Sequence, residues 1–363
     1  MRIRAAVIRE AGGAFSFEEL ELDEPKAGEL LVRVVASGIC STDEAARQQH
    51  APVPLPAVLG HEGAGIVERI GANVSAFSPG DRVCFSFSSC GCCEPCQEGK
   101  PYICEESGRL NFGGVLLDGT RRLHKGDETL SAFFGQGSFA TWAVVSERNA
   151  IPVDKDIPLE VAAPFGCGIQ TGAGTVLNVL DGRAGEAIAV FGMGAVGMSA
   201  IMAAALAGLN PIIAVGGNAQ SLALARELGA THALNRHEVD DLARAIVALT
   251  RTGAHYSIDT TGAKPLIMSA LHCLRPEGSL ALLAPCEELT LDVVSDLIGP
   301  TRRILGVTEG ASNPPVFIPR LLRLYREGRF PVDRIISCYP FADIDRAFAD
   351  SLSGKVIKAV VQM

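Results

Sequence analysis

The sequence predicts an α/β protein in which a β-rich domain is joined to a doubly wound parallel sheet. Three observations predict it. The first part of the chain carries short β-branched apolar runs separated by turns. The middle part alternates strands with helices, the pattern of a parallel sheet with crossover connections. Between one strand and its helix lies a glycine turn of the kind that binds dinucleotides. With 363 residues the chain is long enough for about two domains of roughly 150 residues each.

From residue 1 to 167, the runs LLVRVVASG (30–38), AGIVERIG (64–71) and DRVCFSF (81–87) read as strands. From 168 to 305 the alternation takes over. EAIAVFG (186–192) is a buried strand, AVGMSAIMAAALAG (195–208) a helix and PIIAVGG (211–217) a second strand. SLALARELG follows as a helix ended by Gly229, and HYSIDTTG (255–262) and GSLALLAP (278–285) are further strands. From 306 to 363 the pattern is mixed: FIPRLLRLYREGRF forms an amphipathic helix and KVIKAVVQM a last strand.

Composition narrows the function. Hydrophobic residues at 48% and charged residues at 20% belong to a globular chain, not a disordered one. A net charge of −9 argues against a nucleic-acid binder, which needs a basic surface. No apolar run reaches the roughly 18 residues of a membrane span, and MRIRAAVIREAGG has no signal-peptide core. A cytoplasmic location is expected, where clustered cysteines bind metal more often than they form disulfides.

Five of the eleven cysteines fall between positions 90 and 104. Cys90, Cys93, Cys96 and Cys104 are spaced C-x2-C-x2-C-x7-C, a closed four-thiolate set suited to a structural zinc. Cys92 lies inside the cluster but out of register, and Cys84 upstream; neither has an assigned role. A second metal set is weaker on spacing alone. Cys40 lies in SGICSTDE, His61 and Glu62 in LGHEGAG, and Cys167 in PFGCGIQTG at the junction of the first two regions. A lone cysteine or histidine is more often a packed residue, and HEGAG lacks the second histidine of a metalloprotease motif.

AVFGMGAVG places Gly192, Gly194 and Gly197 in G-x-G-x-x-G register between a strand and a helix. These glycines, with Ala195 and Val196, let backbone N–H groups approach a pyrophosphate at a helix N-terminus. About twenty residues on, an acidic residue normally binds the adenosine ribose of NAD. Here Gly216 stands, followed by Gly217, Asn218 and Ser221. Without that carboxylate, NADP is expected over NAD. The only nearby arginine in sequence is Arg226, so backbone N–H groups, Asn218 and Ser221 are expected to hold the 2′-phosphate.

Taken together, GHEGAG, the four-cysteine lobe, CGIQTGAGTVLN, AVFGMGAVG and LARELGAT resemble the zinc-dependent medium-chain alcohol dehydrogenases over essentially the whole chain. FFGQGSFATWAVV and EGASNPPVFIPRLLRLYREGRFP are similar to the aryl-alcohol, benzyl-alcohol type, subgroup. The resemblance implies a GroES-like catalytic domain (1–167), a Rossmann cofactor domain (168–305) and a return to the catalytic domain (306–363). It implies Cys40, His61 and Cys167 as catalytic zinc ligands, hence two zinc ions per chain. Glu62 matches the carboxylate beside the metal, and Asp43 the group that orients the ligating histidine. Thr42 matches the hydroxyl that passes on the substrate's proton. Thr171 matches a residue near the nicotinamide, and Lys358 a basic position near the pyrophosphate. Phe133 and Phe134 match the apolar substrate pocket, although a plain core pair reads equally well.

The chain departs from the family at two further places. Ala45 stands where many members carry the histidine that completes the proton relay, leaving water or His50 as the exit. Ser41 stands where an arginine or histidine often meets the pyrophosphate. The resemblance implies reversible oxidation of a primary, aryl or allylic, alcohol to its aldehyde. Terpenoid or aliphatic alcohols are the alternative substrates, and a non-catalytic, crystallin-like NADPH-binding protein the alternative of another class. Association into a homodimer or homotetramer is implied by the family. No G-x-S-x-G elbow supports a hydrolase.

Overall fold

The computed structural model describes all residues, 1–363. The chain divides into two units. The first comprises Met1–Gly168, Asn313–Glu327 and Val332–Met363; the second comprises Ile169–Ser312 and Gly328–Pro331.

In the first unit, five strands close a barrel: Arg2–Ile8, Ser16–Leu22, Leu123–Lys125, Glu128–Ala132 and Ala57–Val58. Beside it lies a seven-stranded sheet. Its central strand, Glu29–Gly38, runs antiparallel to Glu62–Ile70 on one side and to the final strand Lys358–Gln362 on the other. The pairing Gly38↔Glu62 and Val360↔Gly38 sets residues from three distant parts of the chain side by side. Inward-facing apolar residues drive this arrangement: Phe15, Phe133, Phe139 and Phe348 are buried in one core cluster. Burying a large aromatic of this kind is worth about 1.5–3 kcal/mol.

The second unit holds a six-stranded sheet, parallel throughout. The order is His232–Asn235, Ile212–Gly216, Ile188–Phe191, Ala254–Asp259, Leu274–Leu282, Arg303–Gly306. Ile188–Phe191 is buried on both faces, which is why its sequence is continuously apolar. The helix Ala195–Leu206 is apolar all round because residues Gly197 through Ala204 are all buried. The strand order reverses beside Ile188–Phe191, and the glycine turn leaves that strand's carboxyl end. That is where ligands bind in open α/β sheets. The two outer strands, His232–Asn235 and Arg303–Gly306, have four residues each and were not among the runs that read as strands. No helix is long and apolar enough to cross a membrane.

Candidate active site and metal centres

The four-cysteine lobe is built on tight local turns. Cys90 Sγ lies 4.0 Å from Cys96 Sγ, and Cys93 Sγ 3.9 Å from Cys104 Sγ. Thiolates about 2.3 Å from a tetrahedral zinc sit about 3.8 Å apart, so the set fits that ion. Backbone N–H groups of Cys92 and Cys93 donate to Cys90 Sγ at 3.5 and 3.3 Å. Burial opposes a charge there, yet these donors and the neighbouring thiols bring Cys90 down to about 6. Cys92 is exposed and outside the set. Cys84 is buried, and burial pushes its thiol up to about 12, so it packs as an inert group.

The second cluster gathers Cys40, His61, Glu62 and Cys167, whose ligand atoms all lie within 4.8 Å of one another. Cys40 caps the helix Ser41–Arg47, and its N–H donates to Asp43 Oδ2 at 3.0 Å. Asp43 Oδ1 accepts from Gly60 N–H at 3.1 Å and pairs with His61 Nδ1 at 2.8 Å. A carboxylate on Nδ1 fixes that nitrogen as the donor and leaves the Nε2 lone pair free for a metal. His61 Nε2 is buried and has no hydrogen-bond partner, which fits a metal-ligating nitrogen. Gly60 makes the approach possible: its φ is +91°, and a Cβ there would lie 2.6 Å from Phe139 N.

The charges point the same way. Burial works against an imidazolium at His61, but Asp43 and Cys40 outweigh it and hold that ring well above its ordinary range, so these anions favour a cation at Nε2, either a proton or a metal that displaces it. Cys167, then His61 and Lys358, hold Cys40 well below the usual thiol range despite burial. A carboxylate and thiolates assembled on one buried imidazole form a cation site.

Glu62 Oε1 accepts from Gly168 N–H at 3.1 Å, and Oε2 lies 2.5 Å from Lys358 Nζ. Burial pushes the Glu62 carboxyl up to about 7 against the pull of Lys358. Lys358 opens the final strand, Lys358–Gln362. It is buried, donates to Ile39 O at 2.8 Å and pairs with Glu62, so its ammonium faces protein groups. Thr42 Oγ1 lies 3.6 Å from Cys40 Sγ. Ala45 is half-buried, whereas His50 is exposed. Phe133 and Phe134 are both buried and both contact the His61 ring, at centroid distances of 5.6 and 4.7 Å. Phe134 has φ +54°, a strained conformation held by its packing.

In the second unit the glycine turn fits a dinucleotide. Gly192 has φ +99°, and a Cβ there would lie 2.1 Å from Thr260 Oγ1. A Cβ at Gly197 would lie 1.8 Å from Gly192 O. At Gly194, which caps Ala195–Leu206, there is open space instead, and the first-turn N–H groups there lack helical acceptors. Thr171 lies on the helix Gly168–Gly174, with its hydroxyl 3.5 Å from Glu309 Oε2. Gly216 ends its strand, and Asn218 Oδ1 caps the next helix by accepting from Gln220 and Ser221 N–H. The structure adds two residues that sequence reasoning missed. Arg236 and His237 follow the outer strand His232–Asn235, whose parallel register sets Asn235 opposite Gly216. A Cβ on Gly217 would lie 2.8 Å from His237 Nε2 and 2.9 Å from Arg236 Nε. Reading HALN as an edge strand paired with PIIAVGG is the signal that would have placed them.

The comparisons with known proteins agree with this geometry. The Alcohol dehydrogenase GroES-like domain profile matches residues 26–155, and the Zinc-binding dehydrogenase profile residues 195–325. Geraniol dehydrogenase of Castellaniella defragrans is 44% identical over 366 residues, spanning 99% of this chain and 97% of its own. The chain belongs to the zinc-dependent medium-chain alcohol dehydrogenases. The NDMA-dependent alcohol dehydrogenase of Amycolatopsis methanolica is 34% identical over 369 residues, with 99% of each chain covered. The crystal structure of benzyl alcohol dehydrogenase from Acinetobacter calcoaceticus matches with a TM-score of 0.95 at 40% identity, covering 100% of this chain and 99% of that one. As an alcohol dehydrogenase, the chain is an oxidoreductase with a GroES-like and a Rossmann domain, for zinc, a nicotinamide cofactor and small alcohol or aldehyde substrates.

Proposed function

We propose that this dehydrogenase interconverts a primary aryl or allylic alcohol and its aldehyde, with NADP favoured over NAD and two zinc ions per chain. The observation that carries the substrate class is the aromatic wall that Phe133 and Phe134 set against His61. Flat, unsaturated alcohols stack on such rings where saturated chains gain less. The names of the geraniol and benzyl alcohol dehydrogenases support the same class.

When bound, zinc supplies Lewis acidity that lowers the pKa of an alcohol, and the nicotinamide accepts a hydride. The protein's own groups do the rest. Cys40, His61 and Cys167 hold the metal, and Asp43 fixes the His61 tautomer. Glu62, neutralised by Lys358, stands as a further carboxylate at the same site. Thr42 takes the substrate's hydroxyl proton at its Oγ1 and passes it to water, because Ala45 offers no side chain to continue a relay. Cys90, Cys93, Cys96 and Cys104 hold the structural zinc. The glycine turn seats the pyrophosphate, and bare Gly216 admits the 2′-phosphate.

Eleven cysteines with no disulfide among them suit a reducing cytoplasm. Exposed Val293, Val294 and Ile298, beside the open edge strand Arg303–Gly306, support self-association through the cofactor domain.

A substrate panel run with both cofactors, with metal analysis alongside, tests the reading. Benzyl alcohol and geraniol should exceed a saturated alcohol of equal length in kcat/KM by about tenfold, with NADP the better cofactor. Two zinc per chain, falling to one in Cys96→Ser, is the expected metal content. Equal rates on the saturated alcohol would overturn the substrate class, and one zinc in the unaltered protein the metal assignment.

A further inference from the structure

We infer that Arg236 and His237 form the binding site for the 2′-phosphate of the cofactor's adenosine ribose; this rests on the NADP reading above. Sequence proximity assigned that phosphate to Asn218, Ser221 and backbone donors. The structure has already committed part of that set, the backbone N–H groups of Gln220 and Ser221. Asn218 Oδ1 accepts from both Gln220 N–H, at 2.9 Å, and Ser221 N–H, at 3.0 Å. Ser221 is itself buried, and Arg226 lies exposed near the far end of the same helix. The local segment therefore offers a dianion only neutral donors, the Asn218 amide and the Ser221 hydroxyl, and no cation before Arg226.

The neighbouring strand supplies the grip. Arg236 N–H donates to Gly216 O at 2.9 Å, which fixes the start of its side chain beside the end of the second strand. Above Gly217, Arg236 Nε and His237 Nε2 stand 2.9 and 2.8 Å from where a Cβ would be. Both residues are exposed, and neither is paired with a carboxylate. Glu238, the next acid in sequence, is hydrogen-bonded by Asn235 Nδ2 at 2.6 Å. An aspartate at position 217 would stand against this pair and neutralise it; the glycine leaves its charge and donors open. A guanidinium presents its N–H groups as a fork that matches phosphate oxygens, and a nearby imidazole adds a further donor. The pair thus discriminates between cofactors that differ by one phosphate.

Titration calorimetry on the zinc-loaded, full-length enzyme tests this without turnover, using 2′,5′-ADP and 5′-AMP as probes. The unaltered protein should bind 2′,5′-ADP about tenfold or more tighter than 5′-AMP. Arg236→Gln and His237→Gln should each weaken 2′,5′-ADP several-fold and leave 5′-AMP unchanged. Both residues are exposed, so folding should hold, and unchanged circular dichroism would show it. If the unaltered protein prefers 2′,5′-ADP but neither variant alters that preference, this assignment is overturned and the NADP reading stands. If the unaltered protein binds 5′-AMP as tightly, the NADP reading itself fails, and this assignment with it.

Discussion

Gly216 is buried at the end of its strand, and a Cβ there would lie 2.8 Å from Met193 Cγ. Met193 is a flexible neighbour, so Gly216→Asp can be accommodated by a shift of that side chain. The new carboxylate would accept from ribose hydroxyls and repel a 2′-phosphate. The ratio of kcat/KM with NADP to that with NAD should fall by about tenfold or more, a change of at least 1.4 kcal/mol. An unchanged ratio would show that the ribose lies elsewhere. At this scale the sequence is legible where chemistry sits in a short motif. Cys90, Cys93, Cys96 and Cys104 can be read directly, since spacing alone brings their atoms together, whereas His61 and Glu62 are legible only through the resemblance that the surrounding GHEGAG motif carries. Arg236 cannot be read, because only the register of a neighbouring strand carries it to Gly217. The pairing of Lys358 with Glu62 cannot be read either, because it depends on the last strand lying beside Glu29–Gly38.

The strand Ser16–Leu22 alternates between barrel interior and solvent, and Glu18 occupies the inward register with Leu20 and Leu22. A carboxylate there is tolerated because Arg9 Nε and Lys125 Nζ each reach it at 2.7 Å. Arg9, then Lys125, outweigh burial and bring the Glu18 carboxyl down from the ordinary 4.5 to about 2. A depressed carboxyl contributes stability above its unfolded pKa and loses it as pH falls through the folded value. The window is therefore pH 4.5 down to about 2. Reduced for the partial exposure of Arg9 and Lys125, the contribution at pH 7 is about 2 kcal/mol. In Glu18→Gln the thermal midpoint should be lower at pH 7 and should fall less steeply than the parent's below pH 4.5. Parallel acid limbs for the two proteins would refute the ion pairing. Pro314–Arg326 is legible from sequence because burial and period coincide, and Ala195–Leu206 because a long apolar run follows the glycine turn. The four-residue strands His232–Asn235 and Arg303–Gly306 are not. They lie at the sheet edges, are only partly buried and offer too few residues to show a period.

Across the whole molecule, the first unit is assembled from both ends of the chain, and the second is built almost wholly from what lies between. A mixed pattern after residue 305 suggests such a return, but the partner of the last strand is a long-range property that no local pattern encodes. The buried Lys358–Glu62 pair is where this closure meets the metal cluster. Glu62 begins the strand after His61, Lys358 begins the final strand, and Glu29–Gly38 lies between them. Breaking one half of a buried ion pair leaves an uncompensated charge and typically costs about 3–5 kcal/mol. Lys358→Met should therefore lower unfolding stability by about that amount in denaturant titration. Pairing it with Glu62→Gln removes the orphaned carboxylate, so the double variant should be more stable than Lys358→Met alone, although an amide brings no full charge to the site. A double variant no more stable than the single would show that the two ends of the chain are not coupled through this pair. Closure of the unit would then rest on the backbone pairing of Val360 with Gly38 and on the apolar core around it.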